Sequence, residues 1–225
     1  MRIIRLAAIA FAAILSVAAS PPPANWLART AVTQSGSHVL GNPGAKVKLT
    51  EYISYTCPHC AHFQIEAEAP LRLVYVMPGK LSVEVRHLVR DPVDLTVAML
   101  ANCGDPNRFF RNHNLFMQRQ EAWIKPLYNA TPAQQQRWTS GDLRTRLRAI
   151  ASDFRLYAIM AQLGYTRADA DRCLADKAMA DRLAAQTADA GKLGISGTPN
   201  FMLDGILLSG THDWATLYPQ LQARF

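Results

Sequence analysis

The stretch Tyr52–Phe63 reads YISYTCPHCAHF. Cys57 and Cys60 stand there with only Pro58 and His59 between them. An apolar, β-rich run leads in and a helix-like pattern leads out. Such a pair serves as half of a metal site, as a structural pair, or as a reactive dithiol. The residues around it choose among the three.

The run Val47–Ser54 reads as a buried strand, preceded by the turn residues Gly41-Asn42-Pro43-Gly44 and a short strand in SHVL. Phe63, Ala67, Leu71 and Val74 recur at near-helical spacing, which predicts a helix over about Pro58–Val76 with a kink at Pro70. Cys57 then falls at or next to the helix N-terminus. Unpaired N–H groups and the positive end of the helix dipole favour its thiolate there. Thiols at such sites have pKa values of roughly 3.5 to 7.5. His59 offers a further donor or charge to the same sulfur. Pro58 suits the first helical turn, where its missing N–H is unpaired in any case. Cys60 lies one turn inside and is expected to be more buried. A stabilised Cys57 thiolate is a good leaving group and favours the reduced pair, so the disulfide form is an oxidant. Zinc needs a second ligand pair. His62 and His87 exist, but Cys103 and Cys173 each stand alone, so no metal is expected.

The first twenty residues have another logic. MRIIR is a basic start, LAAIAFAAILSVAA an apolar core, and VAAS offers small residues for cleavage after Ala19. The apolar run is short for a membrane span. A signal peptide over 1–19 and export to the periplasm are therefore expected, with a retained anchor as the alternative. Residues 20–34, beginning PPPANW, read as an extended linker. Outside the cytoplasm disulfides persist, and all four cysteines lie in the mature part. Loss of Arg2 and Arg5 with the leader lowers the formal charge from +7 to +5. That excess is scattered, without the basic, aromatic-laced stripe that nucleic acid requires.

Leu81–Val89 alternates as a strand. From Pro92 to about Asp189 nearly everything reads helical. Leu143, Leu147, Ile150, Phe154, Tyr157 and Met160 line one face of a single long helix ending at Gly164. Arg144, Arg146 and Arg148 read as its solvated side. TPNFMLDGILLSG then gives two short strands about Asp204-Gly205, and THDWATLYPQLQARF a closing helix. The order β-β-α-β, helices, α-β-β-α makes an α/β protein with a mixed sheet flanked by helices. With 225 residues, 49% of them hydrophobic, the chain is long enough for one domain with a full core or one domain carrying an inserted subdomain.

CPHC after EYISYT, together with Thr198-Pro199 in GISGTPNF, resembles the DsbA-like thiol–disulfide oxidoreductases of the thioredoxin superfamily. The resemblance covers nearly all of the mature chain in order of elements. It implies a thioredoxin fold over 35–91 and 190–225 with a helical insertion at 92–189. It also implies a cis Thr198–Pro199 bond facing Cys57, where an ordinary trans turn is the alternative. A cis bond there leaves the Thr198 backbone free to pair with an extended substrate. The implied activity is disulfide formation in reduced or unfolded secreted proteins, with a quinone-linked membrane partner as reoxidase. A disulfide isomerase or reductase, and a non-enzymatic chaperone or binding module, are the other readings. The leader-to-strand segment is too short for a separate dimerisation domain, so a monomer is expected.

Glu51, six residues before Cys57, matches a family position for a buried acid behind the second cysteine. It either shuttles a proton for Cys60 or points to water from an edge strand. Cys103 and Cys173 either form a structural disulfide across about seventy residues or remain two buried thiols; only some relatives carry a second disulfide. Tyr55 and Phe63 either hold unfolded chains or belong to the core. No cofactor beyond the Cys57–Cys60 disulfide is expected.

Overall fold

The computed structural model describes residues 24–225. The expected leader and its cleavage site lie outside them. Six strands form one sheet in the order β1-β2-β4-β3-β5-β6. These are β1 (Thr30–Val32), β2 (His38–Gly41), β3 (Val47–Ile53), β4 (Leu81–His87), β5 (Asn200–Leu203) and β6 (Ile206–Leu207). β3 and β4 run parallel, with Glu51 opposite Val85, and the other neighbours are antiparallel. The mixed sheet follows from the connections. β3 and β4 are joined through a helix, whereas β5 and β6 are joined by the tight Asp204-Gly205 turn, both residues having positive φ.

The segment read as a linker supplies β1. Ala31 pairs with Val39, and Gly36 at φ +78° makes the intervening turn. Three residues are too few for a period, so only pairing with β2 identifies this strand.

Helix α1 (Pro58–Pro70) returns from the Cys57 end of β3. Pro70 has no N–H to continue the ladder, and the chain passes into a π-helical turn over Leu71–Val76, where Met77 N–H reaches back to Arg72 O at 2.8 Å. The kink expected at Pro70 therefore takes the form of a wider turn.

Between β4 and β5 lie α2 (Pro92–Ala101), α3 (Phe109–Gln118), α4 (Gln120–Trp123), α5 (Lys125–Tyr128), α6 (Pro132–Thr139), α7 (Leu143–Asp153), α8 (Leu156–Gln162), α9 (Arg167–Cys173) and α10 (Lys177–Lys192); α11 (Trp214–Gln222) follows β6. The long helix expected over 143–164 is two. Arg155 takes a left-handed conformation, φ 55°, and breaks it after Phe154. Its arginine face is also less free than the sequence suggests. Arg148 pairs with Asp171 at 3.1 Å, and Arg146 donates to Trp138 O at 2.8 Å. Arg144 is exposed. A boundary at 189 falls inside α10, which lies on the sheet. There Gln186 Oε1 accepts from His87 N–H and Thr187 Oγ1 from Val89 N–H, both at 2.9 Å.

The main core joins the Leu49–Ile53 face of β3 to α1 and onward to the helices of the insertion. A smaller core on the other face holds Tyr52, Leu88, Ala190 and Ile195. Among the described residues no helix is long and apolar enough to cross a membrane.

Candidate active site

The strand β3 ends at Ile53, and Ser54, Tyr55 and Thr56 make a loop that places Cys57 as the N-cap of α1. Cys57 is extended, at φ −92° and ψ 114°. Its carbonyl accepts the first helical hydrogen bonds, from Cys60 N–H at 3.2 Å and Ala61 N–H at 3.3 Å. Pro58 occupies the first helical position, as the sequence implies. Cys57 and Cys60 are free cysteines and nearly equal in burial, with 2% and 1% of their surface exposed. Exposed surface barely separates the two sulfurs, although Cys60 lies deeper in the protein, as the sequence predicts.

Electrostatics separates them. The hydrogen bond from the Cys60 thiol is the largest influence on Cys57 and brings it down to about 4, against the opposing cost of burial. Thr198, the Cys60 N–H and the positive charge of Arg90 act in the same direction. Cys60 moves the other way. Burial first, then its bond to Cys57 and the charge of that sulfur, push its thiol well above the usual range. At neutral pH one sulfur carries the charge and the other carries the proton.

Thr198–Pro199 is a cis peptide, and Thr198 O accepts a hydrogen bond from Cys57 Sγ at 3.1 Å. Among the described residues the buried Thr198 hydroxyl has no hydrogen-bond partner, and Thr198 lowers the Cys57 thiol. His212 Nδ1 donates to Pro199 O at 2.9 Å and ties the turn to the start of α11.

His59 is exposed and makes no hydrogen bond among the described residues. Cys60 and Thr198 act as donors to Cys57, and Arg90 supplies a favourable charge. Arg90 follows β4. Its Nε donates to Ser54 Oγ at 3.0 Å and its guanidinium to Thr56 Oγ1 at 3.3 Å. Asp94 completes the cradle: it accepts from Ser54 Oγ at 2.6 Å, Tyr55 N–H at 2.7 Å and Arg90 N–H at 3.0 Å. Asp91 accepts from Thr56 Oγ1 at 2.6 Å. From the insertion, Gln120 Nε2 donates to Tyr55 O at 2.7 Å and Cys57 O at 2.8 Å. Sequence reasoning missed Arg90, Asp94 and Gln120. The first two lie in a stretch read only as a strand end and a helix start, and Gln120 had no signal.

Glu51 is not on an edge strand pointing to water. It lies on β3, between β4 and β5, and is 2% exposed. Burial raises its carboxyl to about 8. It borders a cavity of about 30 Å³ shared with Gln64, Phe110 and His113. That volume admits a single water. Gln64 is one helical turn beyond Cys60 on α1, so the cavity reaches the helix face that carries the second cysteine. Tyr55 and Phe63 are fully buried and belong to the hydrophobic core; the Tyr55 hydroxyl bonds His113 Nδ1 at 3.0 Å. Away from the site, Cys103 and Cys173 are joined, with Cα atoms 5.5 Å apart.

Known proteins carry the same plan. The crystal structure of protein-disulfide isomerase from Novosphingobium aromaticivorans is 57% identical, with a TM-score of 0.81 over 84% of this chain and 97% of that one. The structure of Wolbachia pipientis alpha-DsbA1 shares the fold at 21% identity, with a TM-score of 0.66 over 85% and 92% of the two chains. A Rickettsia bellii protein named "Putative protein-disulfide oxidoreductase" is 28% identical over 171 residues, 75% of this chain and 57% of its own length. One from Rickettsia typhi is 40% identical over 86 residues, 38% of this chain and 32% of its own. The match thus spans about a third to just over half of these curated relatives. A family model described as thioredoxin matches residues 33–223, from the turn after β1 to the end of α11. A match of that extent takes in both cysteines and the cis-proline turn, and the chain belongs to the thioredoxin family.

Proposed function

We propose that the protein is an exported thiol–disulfide oxidoreductase that donates its Cys57–Cys60 disulfide to reduced or unfolded secreted proteins. The observation that carries this reading is the opposed state of the two sulfurs, Cys57 held at about 4 and Cys60 held protonated. A substrate thiolate attacks Cys57 Sγ, a substrate–Cys57 bond forms, and the Cys57–Cys60 bond breaks. Its electron pair leaves on Cys60, which takes up a proton. Glu51, protonated at neutral pH beside its small cavity, is the proposed donor. The second substrate thiolate then attacks its own sulfur in the mixed disulfide and expels Cys57 as a thiolate, stable in the cradle described above. The substrate leaves oxidised by two electrons, and the protein leaves as a dithiol. An oxidant must restore the disulfide, and a quinone-linked membrane partner is the proposed source. Monomeric action and export by the leader complete the proposal. The isomerase reading keeps its place because the 57%-identical Novosphingobium protein bears that name.

Two assays separate the readings. The disulfide form should oxidise a reduced dithiol peptide rapidly and rescue a scrambled multi-disulfide protein slowly. Strong rescue with weak oxidation would move the assignment to isomerase. In the reduced protein, an alkylating agent below pH 7 should modify Cys57 well before Cys60; the reverse order would remove the mechanism.

A further inference from the structure

The helical insertion carries a groove that the thiol chemistry leaves unexplained. It measures about 500 Å³ and opens where α4, α5 and α8 meet. Trp123, Phe154 and Ile159, all buried, form its floor. Arg119, Lys125 and Arg155, all exposed, stand around it. Among the described residues none of these three cations has an ion-pair partner or a side-chain hydrogen bond. The acid that lines the groove, Asp153, is already engaged by Arg137 at 3.0 Å and by Trp138 Nε1 at 2.7 Å. Glu121 lines the neighbouring groove, which Lys125 also borders, but makes no ion pair with that lysine. Three positive charges without an ion-pair partner among the described residues, set over an apolar floor, form a field that favours carboxylates.

Two further observations concern the same place. Arg155 is the left-handed residue that breaks the α7–α8 helix, with φ 55° and ψ 29°. Glycine or asparagine fills that conformation at lower cost, yet the chain has an arginine there. Strain of this kind gathers at sites with a task. The groove also adjoins a hollow that reaches the first turn of α1, next to Cys57. A second hollow, of about 400 Å³, runs from Pro58, His62 and Ile65 on α1 to Ile124 and Lys125, and Lys125 borders both.

We infer that this groove binds an acidic, apolar segment of the polypeptide whose thiols react at Cys57, with an aromatic or aliphatic side chain on the Trp123–Phe154 floor and flanking Asp or Glu side chains on Arg119, Lys125 and Arg155. The inference rests on the proposed thiol exchange for its biological sense, and its physical content is testable without it.

The test uses the full chain and two peptides with one cysteine pair, tailed with Asp-Phe-Asp or Asn-Phe-Asn across a series of spacer lengths. Versions with serine in place of cysteine, carrying a fluorophore, report binding alone. The acidic tail should bind about tenfold more tightly than the amide tail at low salt, as three weak surface pairs allow. The preference should vanish at high salt and in the combined variant Arg119→Gln, Lys125→Gln, Arg155→Gln. Oxidation of the acidic dithiol peptide should lose the same factor in that variant, while oxidation of dithiothreitol stays unchanged. Arg155→Gly should raise the melting temperature and weaken acidic-peptide binding, a combination a purely structural role does not give. Equal binding of the two tails by the unaltered protein would overturn the inference. Loss of all thiol oxidation, dithiothreitol included, with tail preference intact would instead sink the proposed function.

Discussion

The chain holds two cysteine pairs with opposite designs. Cys57 and Cys60 lie within one turn of α1, so joining them restricts the unfolded chain little. Cys103 and Cys173 are 70 residues apart and tie the end of α2 to the end of α9. The backbone at Cys103 is held as well, its carbonyl accepting from the Tyr165 hydroxyl at 2.6 Å and from Asn112 Nδ2 at 3.3 Å. The first pair sits among hydrogen-bond donors and a cation that lower the energy of a thiolate. One pair is thus suited to opening, and the other to remaining closed. Loop length and the groups around the sulfur, not the residue type, make that difference.

The largest expected effect tests this division. Replacing Cys103 and Cys173 together by alanine removes the constraint on a long loop, a loss of about 4 kcal/mol on the chain-entropy account. Denaturant unfolding should show it as a lower midpoint. Thiol exchange at Cys57 should persist wherever the variant is folded. A folded variant that has lost exchange would show that the two pairs are coupled and break the comparison.

How legible this was in the sequence also follows the two designs. The reactive pair announces itself, because a CxxC at a strand-to-helix turn is local and Thr198-Pro199 is a dipeptide. The pairing of Cys103 with Cys173 is a fact of three dimensions, which left the alternative of two thiols open. The same holds for the cradle. Arg90 and Asp94 meet Ser54 and Thr56 only because β4 lies parallel to β3, and Gln120 arrives from the insertion. β1 escaped notice because it is three residues long, and the break at Arg155 because the apolar period runs through it unaltered. Glu51 was the reverse case. Its position in an apolar strand was plain, and only the strand order shows that β3 is internal.

Glu51 supplies the next prediction, smaller and confined to the reactive pair. In the fold its carboxyl keeps its proton to about pH 8, whereas an unfolded glutamate loses it near 4.5. Between those values the native state binds the extra proton, so stability falls as pH rises, by about 1.4 kcal/mol for each pH unit at the steepest. Glu51→Gln removes that dependence. The variant should match the parent near pH 4, exceed it by on the order of 3 kcal/mol at neutral pH, and gain nothing more above pH 8. Its turnover with dithiol peptides should drop, since the proton for Cys60 is gone. A stability difference that does not vary with pH would mean that Glu51 is ionised in the fold. An unchanged turnover would free Cys60 from it.

The smallest effect decides which charge sets the reactive thiolate. Arg90 and His59 both approach Cys57 in sequence or in space, but Arg90 is the one anchored, through Ser54 and Thr56, and its charge favours the thiolate. Its side chain is exposed, so the influence is partly screened. Arg90→Gln should therefore raise the Cys57 pKa, by less than loss of the Cys60 or Thr198 hydrogen bonds would, and the shift should shrink at high salt. Arg90→Lys should recover part of it, because the charge returns without the two-point anchor. His59→Ala should change it less than Arg90→Gln does. Thiolate absorbance followed across pH measures all three. If His59→Ala produced the larger shift, the exposed imidazole would have to turn onto the sulfur in solution, and the charge would belong to the CxxC itself. If neither moved it, Cys60, Thr198 and the helix N-terminus would hold the thiolate by hydrogen bonds alone, and the contrast with Cys103 and Cys173 would rest on donors without any help from charge.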